Sequence, residues 1–276
     1  MLSEPRQPGL GSTRPNPSPK PPSRAYELRN SGVTLAAYRA ITPVIEEVCG
    51  AVVLRVPQAT DSPMLNRAVG LGADMPATED DVDAVVQALA GTTFYVAIAP
   101  GALPPELPAW LEARGLEPGW GWMTFRRGVG DPPAARTELR LEEVRSAEQA
   151  RAFARVVCTG YRLPEALGPV VAQAPDAGWT CWLVLDGDEP ASAAGLYVAE
   201  GAGYLGFAAT MPPHRGKGAQ GVLLAARIRR AAELGCDIVI TETGELRDNR
   251  PSNSYRNILR SGFEEVAVTA NWLGSG

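Results

Sequence analysis

A basic, glycine-rich turn, PPHRGKGAQG, occupies positions 212–221 of the chain, between an apolar stretch and an amphipathic one. Gly216, Gly218 and Gly221 remove side chains from this turn, so a ligand can approach the main chain closely. The helix predicted after the turn offers unpaired N–H groups and a partial positive charge at its start. Together these features predict an anion site, and the pyrophosphate of a nucleotide cofactor is the anion that suits it best.

Two common nucleotide turns fit this segment poorly. A Walker-type phosphate loop needs Ser or Thr after Gly-Lys, but Lys217 is followed by Gly218 and Ala219. The spacing of the glycines does match the G-x-G-x-x-G pattern of dinucleotide-binding folds, and Glu242 ends the next predicted strand. However, four residues separate the preceding strand from the first glycine, and only about 35 residues remain after Thr241 for further strands.

Residues 205–263 instead resemble the acetyl-CoA motif of the GNAT superfamily of N-acetyltransferases. Its core is R/Q-x-x-G-x-G/A after a strand, often with Pro three residues before the Arg; Pro212, Arg215 and Gly218 match, whereas Gln220 replaces the usual Gly or Ala. The sequence Arg260-Ser261-Gly262-Phe263 is similar to the family's closing K-x-G-F. In element order the resemblance covers 137–272.

This resemblance implies that acetyl-CoA binds with its pyrophosphate in the turn and its pantetheine beside the preceding strand. The implied cofactor-binding residues are Ala208, Ala209, Thr210, Arg215, Gly216, Lys217, Gly218, Ala219, Gln220, Gly221, Asn253 and Asn257.

Glu242 follows the apolar strand CDIVIT, where relatives carry a glutamate base, and is the predicted catalytic base. Glu245 is a weaker substitute. The family's usual acid is a tyrosine at the position of Ile258 here, so Tyr255, one turn earlier on the same helix, is the predicted catalytic acid. His214 is expected to be a solvent-facing loop residue.

The implied function is an acetyl-CoA-dependent N-acetyltransferase that acetylates a primary amine of a small molecule or amino-acid-like substrate by direct attack on the thioester. The alternative is a non-catalytic acyl-CoA-binding sensor or scaffold, which the missing tyrosine would allow.

The predicted fold class is α+β, with a mixed sheet and helices on its faces. Residues 1–24 form a predicted disordered, Pro-rich tail. A smaller, degenerate GNAT-like domain is expected over 25–130 and a catalytic GNAT domain over 137–276, separated by the turn-rich connector 128–135. Within these domains a helix over Leu35–Cys49, interrupted at Pro43, is expected, and Arg227, Arg229 and Arg230 are expected to be solvated.

Composition limits the other classes of function. A net charge of −5 disfavours nucleic-acid binding, and the sequence lacks a signal peptide or a membrane-length apolar run. One histidine and four widely spaced cysteines argue against a metal site. We expect a cytoplasmic protein with a small-molecule amine as its partner, and a homodimer that the first domain could mediate.

Overall fold

The computed structural model describes residues 24–246 and 250–276. The tail predicted over 1–24 lies outside the described residues, apart from Arg24. The helices are α1 (Arg24–Arg39), α2 (Glu79–Ala88), α3 (Leu107–Ala113), α4 (Ala147–Tyr161), α5 (Gly168–Ala172), α6 (Ala219–Glu233) and α7 (Asn253–Arg260), with short 3₁₀ turns at Pro57–Ala59, Glu165–Leu167 and Pro212–His214. The strands are β1 (Val44–Val48), β2 (Ala51–Arg55), β3 (Arg67–Val69), β4 (Thr93–Ile98), β5 (Glu117–Pro118), β6 (Trp122–Gly128), β7 (Arg140–Glu143), β8 (Thr180–Asp186), β9 (Glu189–Ala199), β10 (Ala202–Thr210), β11 (Ile238–Gly244) and β12 (Glu264–Ser275).

In the described part of the chain these strands form one mixed sheet. Its order is β1-β2-β3-β4-β12-β6-β11-β10-β9-β8-β7, and the short β5 pairs with β12. Helices cover the faces of this sheet, as the α+β prediction requires. No helix between residues 24 and 246, or after 249, is long and apolar enough to cross a membrane.

The two halves of the sheet repeat one pattern of strand directions. In the first half β1, β2 and β3 are antiparallel, β3 and β4 are parallel, and β12 closes the set antiparallel to β4. In the second half β8, β9 and β10 are antiparallel, β10 and β11 are parallel, and β6 closes the set antiparallel to β11. In each set one helix, α2 or α6, joins the two parallel strands.

Each half therefore takes its closing strand from the other half. β6 follows the elements of the first half in the chain but pairs with β11 over its whole length, and with β12 on its other side. β12 pairs with β6 over Glu264–Thr269 and then with β4 over Ala270–Ser275. A chain boundary at 128–135 thus separates β6 from the strands beside which it lies.

Three apolar cores stabilise this arrangement. One lies between α2, α3 and the first-half strands, and another lies between α6, α7 and the second-half strands. The third lies on the opposite face of the second-half sheet, where Val33 and Ala37 of α1 pack with Phe153 of α4 and Trp179. Because α1 comes from the first half of the chain, the two halves are joined by packing as well as by strand pairing.

The predicted helix over Leu35–Cys49 is wrong beyond Arg39. α1 ends there, and β1 follows directly after Pro43, whose ring cannot continue a helix. Cys49 (φ 49°) and Gly50 (φ 76°) both adopt left-handed conformations, which form the tight turn that joins β1 to β2.

We expect the second half to depend on β6. A fragment of residues 137–276 would lack β6, the antiparallel neighbour of β11. It would also lack Phe125, which is fully buried against Tyr255. A fragment of residues 118–276 restores both, so only the longer fragment should unfold cooperatively in a thermal scan. In the full chain, Phe125→Ala should lower the free energy of unfolding by about 3–5 kcal/mol. Equal cooperativity of the two fragments would contradict this account.

Candidate functional site

The glycine turn adopts a conformation that depends on two of its glycines. Gly216 (φ 80°) and Gly218 (φ 83°) are both left-handed, and Gly218 directly precedes α6. A Cβ atom on Gly218 would lie 2.4 Å from the carbonyl oxygen of Arg136, whereas one on Gly216 would meet open space. No side chain caps the start of α6. Gly221 N–H donates to the carbonyl oxygen of Gly218 at 3.1 Å, so the N–H groups of Ala219 and Gln220 are the ones left for an anionic ligand, which is the fit expected for a pyrophosphate.

Side chains on both sides hold this turn in place. Thr137 Oγ1 donates to the carbonyl oxygen of Lys217 at 2.7 Å, and Lys217 Nζ lies 2.5 Å from Asp186 Oδ2. The same carboxylate lies 3.0 Å from His214 Nδ1. Hydrogen bonds from Lys217 and then from His214 lower the pKa of Asp186, which stays ionised at neutral pH.

The expectation that His214 faces solvent is therefore wrong. Its ring is buried beneath the turn because Asp186 of β8, far away in the sequence, approaches its Nδ1. Arg215 remains exposed at the surface of the turn.

A cleft opens in the sheet beside the turn. β10 pairs with β11 only over Ala202–Tyr204, and the two parallel strands separate beyond that point. At the same place a bulge interrupts the pairing of β10 with β9 between Gly206 and Ala209, and Phe207 adopts φ 55°. Left-handed backbone is costly for an aromatic residue, and such strain concentrates at functional sites.

The three residues predicted to line the pantetheine, Ala208, Ala209 and Thr210, differ in their positions. Ala208 lines the cavity that fills the cleft, as does Gln220 of the turn. Thr210 instead accepts a hydrogen bond from Gln220 Nε2 at 3.1 Å and lies 2.8 Å from Ser192 Oγ, so it ties the strand to α6. Ala209 is buried under α4, where a Cβ atom on Gly160 would lie 2.5 Å from its own.

Glu242 lies at the centre of this cavity among hydroxyl groups. Its Oε2 accepts hydrogen bonds from Tyr38 and, at 3.1 Å, from Tyr204, and Thr124 Oγ1 lies 3.4 Å from its Oε1. The pKa of both tyrosines is raised well above the ordinary value, mainly because burial disfavours the charged phenolate. The tyrosines are therefore neutral donors at physiological pH, and Glu242 is the acceptor to which they point.

Arg67 of β3 lies against this group. Its guanidinium carbon is 3.9 Å from the centroid of the Tyr38 ring. Burial favours a lower pKa for Arg67, but the nearby Tyr38 and Glu242 outweigh it and raise the pKa, so the guanidinium keeps its charge. Tyr38 and Arg67 come from the first half of the chain, and neither was among the predicted site residues.

The cavity has a volume of about 350 Å³ and runs from the α6 side of the sheet to the first-half strands. Asn257 and Ile258 of α7 line this cavity together with Ser254. Asn253 lies exposed at the start of α7, where its side chain accepts a hydrogen bond from Arg256. Of the two predicted asparagines, the structure thus brings only Asn257 to the cavity.

The structure does not bring Tyr255 to the cavity. Its ring is 1% exposed and packs edge-on against Phe125, with centroids 4.7 Å apart, and its hydroxyl donates to Glu265. Tyr255 lies three positions before Ile258 on α7, and its ring faces the apolar core because it packs against Phe125 of β6. The acid role predicted for Tyr255 has no geometric support.

Arg227 was expected to be solvated, and this is wrong. It is 1% exposed on the sheet side of α6, where its Nη1 lies 3.3 Å from the carbonyl oxygen of Gly206 at the bulge. Its Nε donates to the carbonyl oxygen of Leu223 at 3.0 Å. Burial lowers its pKa to about 10, so it remains a cation at neutral pH and lines the floor of the cleft.

Glu245, the weaker candidate base, has a structural contact. Its Oε1 accepts a hydrogen bond from the backbone N–H of Gly121 at 2.7 Å. This bond fixes the chain just before β6, and Glu245 does not line the cavity.

Comparisons with known proteins agree with this architecture. Residues 146–255 match the model of the acetyltransferase (GNAT) family. A GCN5-related N-acetyltransferase from Kribbella flavida aligns with a TM-score of 0.65 at 18% identity, covering 90% of this chain and 95% of that one. One from Sphaerobacter thermophilus aligns at 0.60 and 14% identity, covering 92% and 94%.

A tandem GNAT protein from the clavulanic acid biosynthesis pathway aligns with a TM-score of 0.58 at 14% identity, covering 87% of this chain and 86% of that one. No functionally curated protein matches the chain. The predicted GNAT fold is confirmed, and the family match places a GNAT domain in the second half.

Substitution of Gly218 tests the turn. Gly218→Ala should weaken coenzyme A binding at least tenfold and lower the free energy of unfolding by about 1–3 kcal/mol, because the new Cβ meets backbone and φ is positive. Gly130→Ala in the connector, which has open space and no positive φ, is the matched control. Isothermal titration calorimetry and thermal unfolding measure both effects, and unchanged affinity in Gly218→Ala would contradict the assignment.

Proposed function

We propose that this protein, whose fold is that of the GNAT superfamily, is an acetyl-CoA-dependent N-acetyltransferase that acts on a primary amine of a small molecule or amino-acid-like substrate. The observation that carries the proposal is the position of Glu242, a carboxylate inside a cavity that opens where β10 leaves β11. The cavity begins beside the uncapped start of α6, so a cofactor held there by its pyrophosphate has a channel toward the carboxylate.

The residues proposed to hold the cofactor are those of the turn, Arg215–Gly221, together with Ala208 and Asn257. Acetyl-CoA, when bound, supplies an acyl group activated as a thioester. Arg227, a buried cation beneath the cleft, is suited to stabilise negative charge that develops on this side of the cavity.

Glu242 is proposed as the base. An ammonium group entering the cavity would meet this carboxylate, which can accept its proton and leave a nucleophilic amine. The hydroxyls of Tyr38 and Tyr204 fix the position of Oε2, and Thr124 approaches the other oxygen. These contacts hold the base in one orientation, which is what positioned proton transfer requires.

The first half is proposed to be a degenerate copy of the same fold. Its counterpart of the glycine turn follows β3, and there Gly72 has no room for a ligand: a Cβ atom would lie 2.4 Å from the carbonyl oxygen of Leu103. The backbone of Leu103 also bonds to Gly72 and Ala77, so the chain itself fills this turn. A cytoplasmic location and a homodimer stay predictions from the sequence.

The alternative, a non-catalytic acyl-CoA-binding sensor or scaffold, is favoured by one observation. Ile258 lines the cavity at the position where relatives carry a tyrosine acid, and Tyr255 points elsewhere. Release of free thiol in the presence of an amine panel distinguishes the two: a sensor binds coenzyme A without turnover.

Glu242→Gln tests the base. It removes the proton acceptor but keeps the shape of the side chain, so kcat should fall about 10²–10⁴-fold while coenzyme A affinity stays within threefold. Glu245→Gln is the control, because the Glu245 carboxylate accepts a hydrogen bond from Gly121 and does not line the cavity. Loss of turnover in Glu245→Gln with normal turnover in Glu242→Gln would reverse the assignment.

Tyr255→Phe tests the acid. Because the hydroxyl bonds to Glu265 and Tyr255 does not line the cavity, its removal should lower the free energy of unfolding by about 1 kcal/mol and leave kcat within twofold. A large fall in kcat with unchanged stability would restore Tyr255 to the acid role.

Calorimetry also tests the degenerate first half. With one usable turn, titration of coenzyme A should give one binding site per chain. Gly218→Ala should weaken that site at least tenfold and leave no second site with the original affinity. A stoichiometry of two would contradict the proposal.

A further inference from the structure

The first-half end of the cavity contains a cation that lies near Glu242 but forms no direct ion pair with a carboxylate of the described residues. Arg67 lines this end, and its Nε is buried without a hydrogen-bond partner in the described part of the chain. No ion pair joins its guanidinium to a carboxylate between residues 24 and 246 or beyond 249. A guanidinium with a buried N–H that has no partner is a strong recognition site for a carboxylate.

The other charges in the cavity have different partners. Three charged side chains line it: Arg67, Glu242 and Arg227. Arg227 is turned toward backbone carbonyl oxygens on the α6 side, and Glu242 accepts hydrogen bonds from two tyrosines. Arg67 is therefore the charged group near the base that is available to bind an anionic group of the substrate.

The remaining wall at this end is apolar. It is formed from both halves of the chain by residues Leu54, Val56, Met64, Leu65, Leu163 and Leu167, with Val170, Val171 and Phe207. A charged substrate side chain would be buried here without a partner, at a high cost in free energy. An aliphatic or aromatic side chain would instead gain from leaving water.

We propose that the acceptor is an apolar α-amino acid with a free carboxylate, which binds with its carboxylate on Arg67, its α-amine at Glu242 and its side chain against the apolar wall. This inference rests on the proposed acetyltransferase function and names the substrate class for that site. Tyr38 contacts both groups, because its hydroxyl donates to Glu242 and its ring lies against Arg67, so the carboxylate and the cation lie close enough together to be reached by one small substrate.

The transfer balances as follows. Glu242 takes the first proton from the ammonium group and later releases it to solvent. The neutral α-nitrogen then forms a bond to the acyl carbon, and the carbon–sulfur bond of the thioester breaks with its electron pair leaving on sulfur. The nitrogen loses its second proton to the leaving thiolate, which departs as the free thiol. The carboxylate is unchanged and remains on Arg67, so it contributes to orientation and affinity but not to bond making.

The first experiment uses the wild-type protein with acetyl-CoA and measures thiol release. Leucine and phenylalanine are compared with leucinamide and phenylalaninamide, which keep the amine and the side chain but lack the negative charge. We expect kcat/KM to be about 10–100-fold higher for the acids. Glutamate and lysine should be poor acceptors because their side-chain charges have no partner at the apolar wall.

The second experiment replaces the cation. Arg67→Met should lower the ratio of kcat/KM for leucine to kcat/KM for leucinamide to about one, and Arg67→Lys should restore part of the preference. Arg55→Met is the matched control, because Arg55 on the adjacent β2 pairs with Glu46 at the surface. Calorimetric titration of leucine into protein saturated with coenzyme A gives a readout independent of turnover, and its affinity should fall in Arg67→Met alone.

The outcomes separate this inference from the proposed function. If amides are acetylated as well as acids, or if Arg67→Met weakens both equally, the carboxylate site is wrong although the enzyme is an acetyltransferase. If coenzyme A binds and no amine of either kind releases thiol, the proposed function itself fails. Preference for charged side chains would overturn the role given to the apolar wall.

Discussion

The separation of β10 from β11 beyond Tyr204 is the constraint on which the rest of this structure depends. Two parallel strands that stop pairing leave backbone N–H and carbonyl groups facing an opening inside the sheet, where such groups need partners. Arg227 reaches one of them, the carbonyl oxygen of Gly206, from the floor of the opening. The opening is lined from both faces of the sheet, by Val157 of α4 and Gln220 of α6, so the carboxylate of Glu242 on a central strand is accessible without a surface loop.

The second requirement is that something must keep β11 in place once β10 has left it. β6 does so by pairing with β11 along its entire length, and Phe125 from the same strand fixes α7 through Tyr255. The first half of the chain thus contributes to the site in three ways: it supplies β6 as a support, Tyr38 as a donor to Glu242, and Arg67 as a cation at the first-half end of the cavity. The first half, in which the backbone of Leu103 fills the turn after β3, thus contributes side chains to the cavity of the second half.

Much of this fold could be predicted from the sequence, since local signals decide it. The helix Leu107–Ala113 has the bounds that its apolar spacing and Gly115 indicate, and the strand–turn–helix around Gly218 follows from glycine placement. The hairpin strand Val44–Val48 was missed because two glutamates within it weaken its apolar signal.

The wrong predictions for His214 and Arg227 have one physical cause. Whether a charged or polar side chain is buried depends on partners such as Asp186 and the Gly206 carbonyl, which are distant in sequence. Arg67 and Tyr38 could not be found for the same reason, because only strand exchange and the packing of α1 bring them to Glu242.

The pairing of β12 with both β4 and β6 also determines the order in which the protein can fold during synthesis. β12 is translated after β4 and β6, the strands that it joins, and until it emerges β4 has an unpaired edge and β6 lacks one neighbour. Pairings between such distant segments form slowly, and open strand edges in the meantime invite association with other nascent chains. Both halves therefore finish folding together and late, and the protein should depend more than a simple two-domain chain does on chaperones that shield these edges during synthesis.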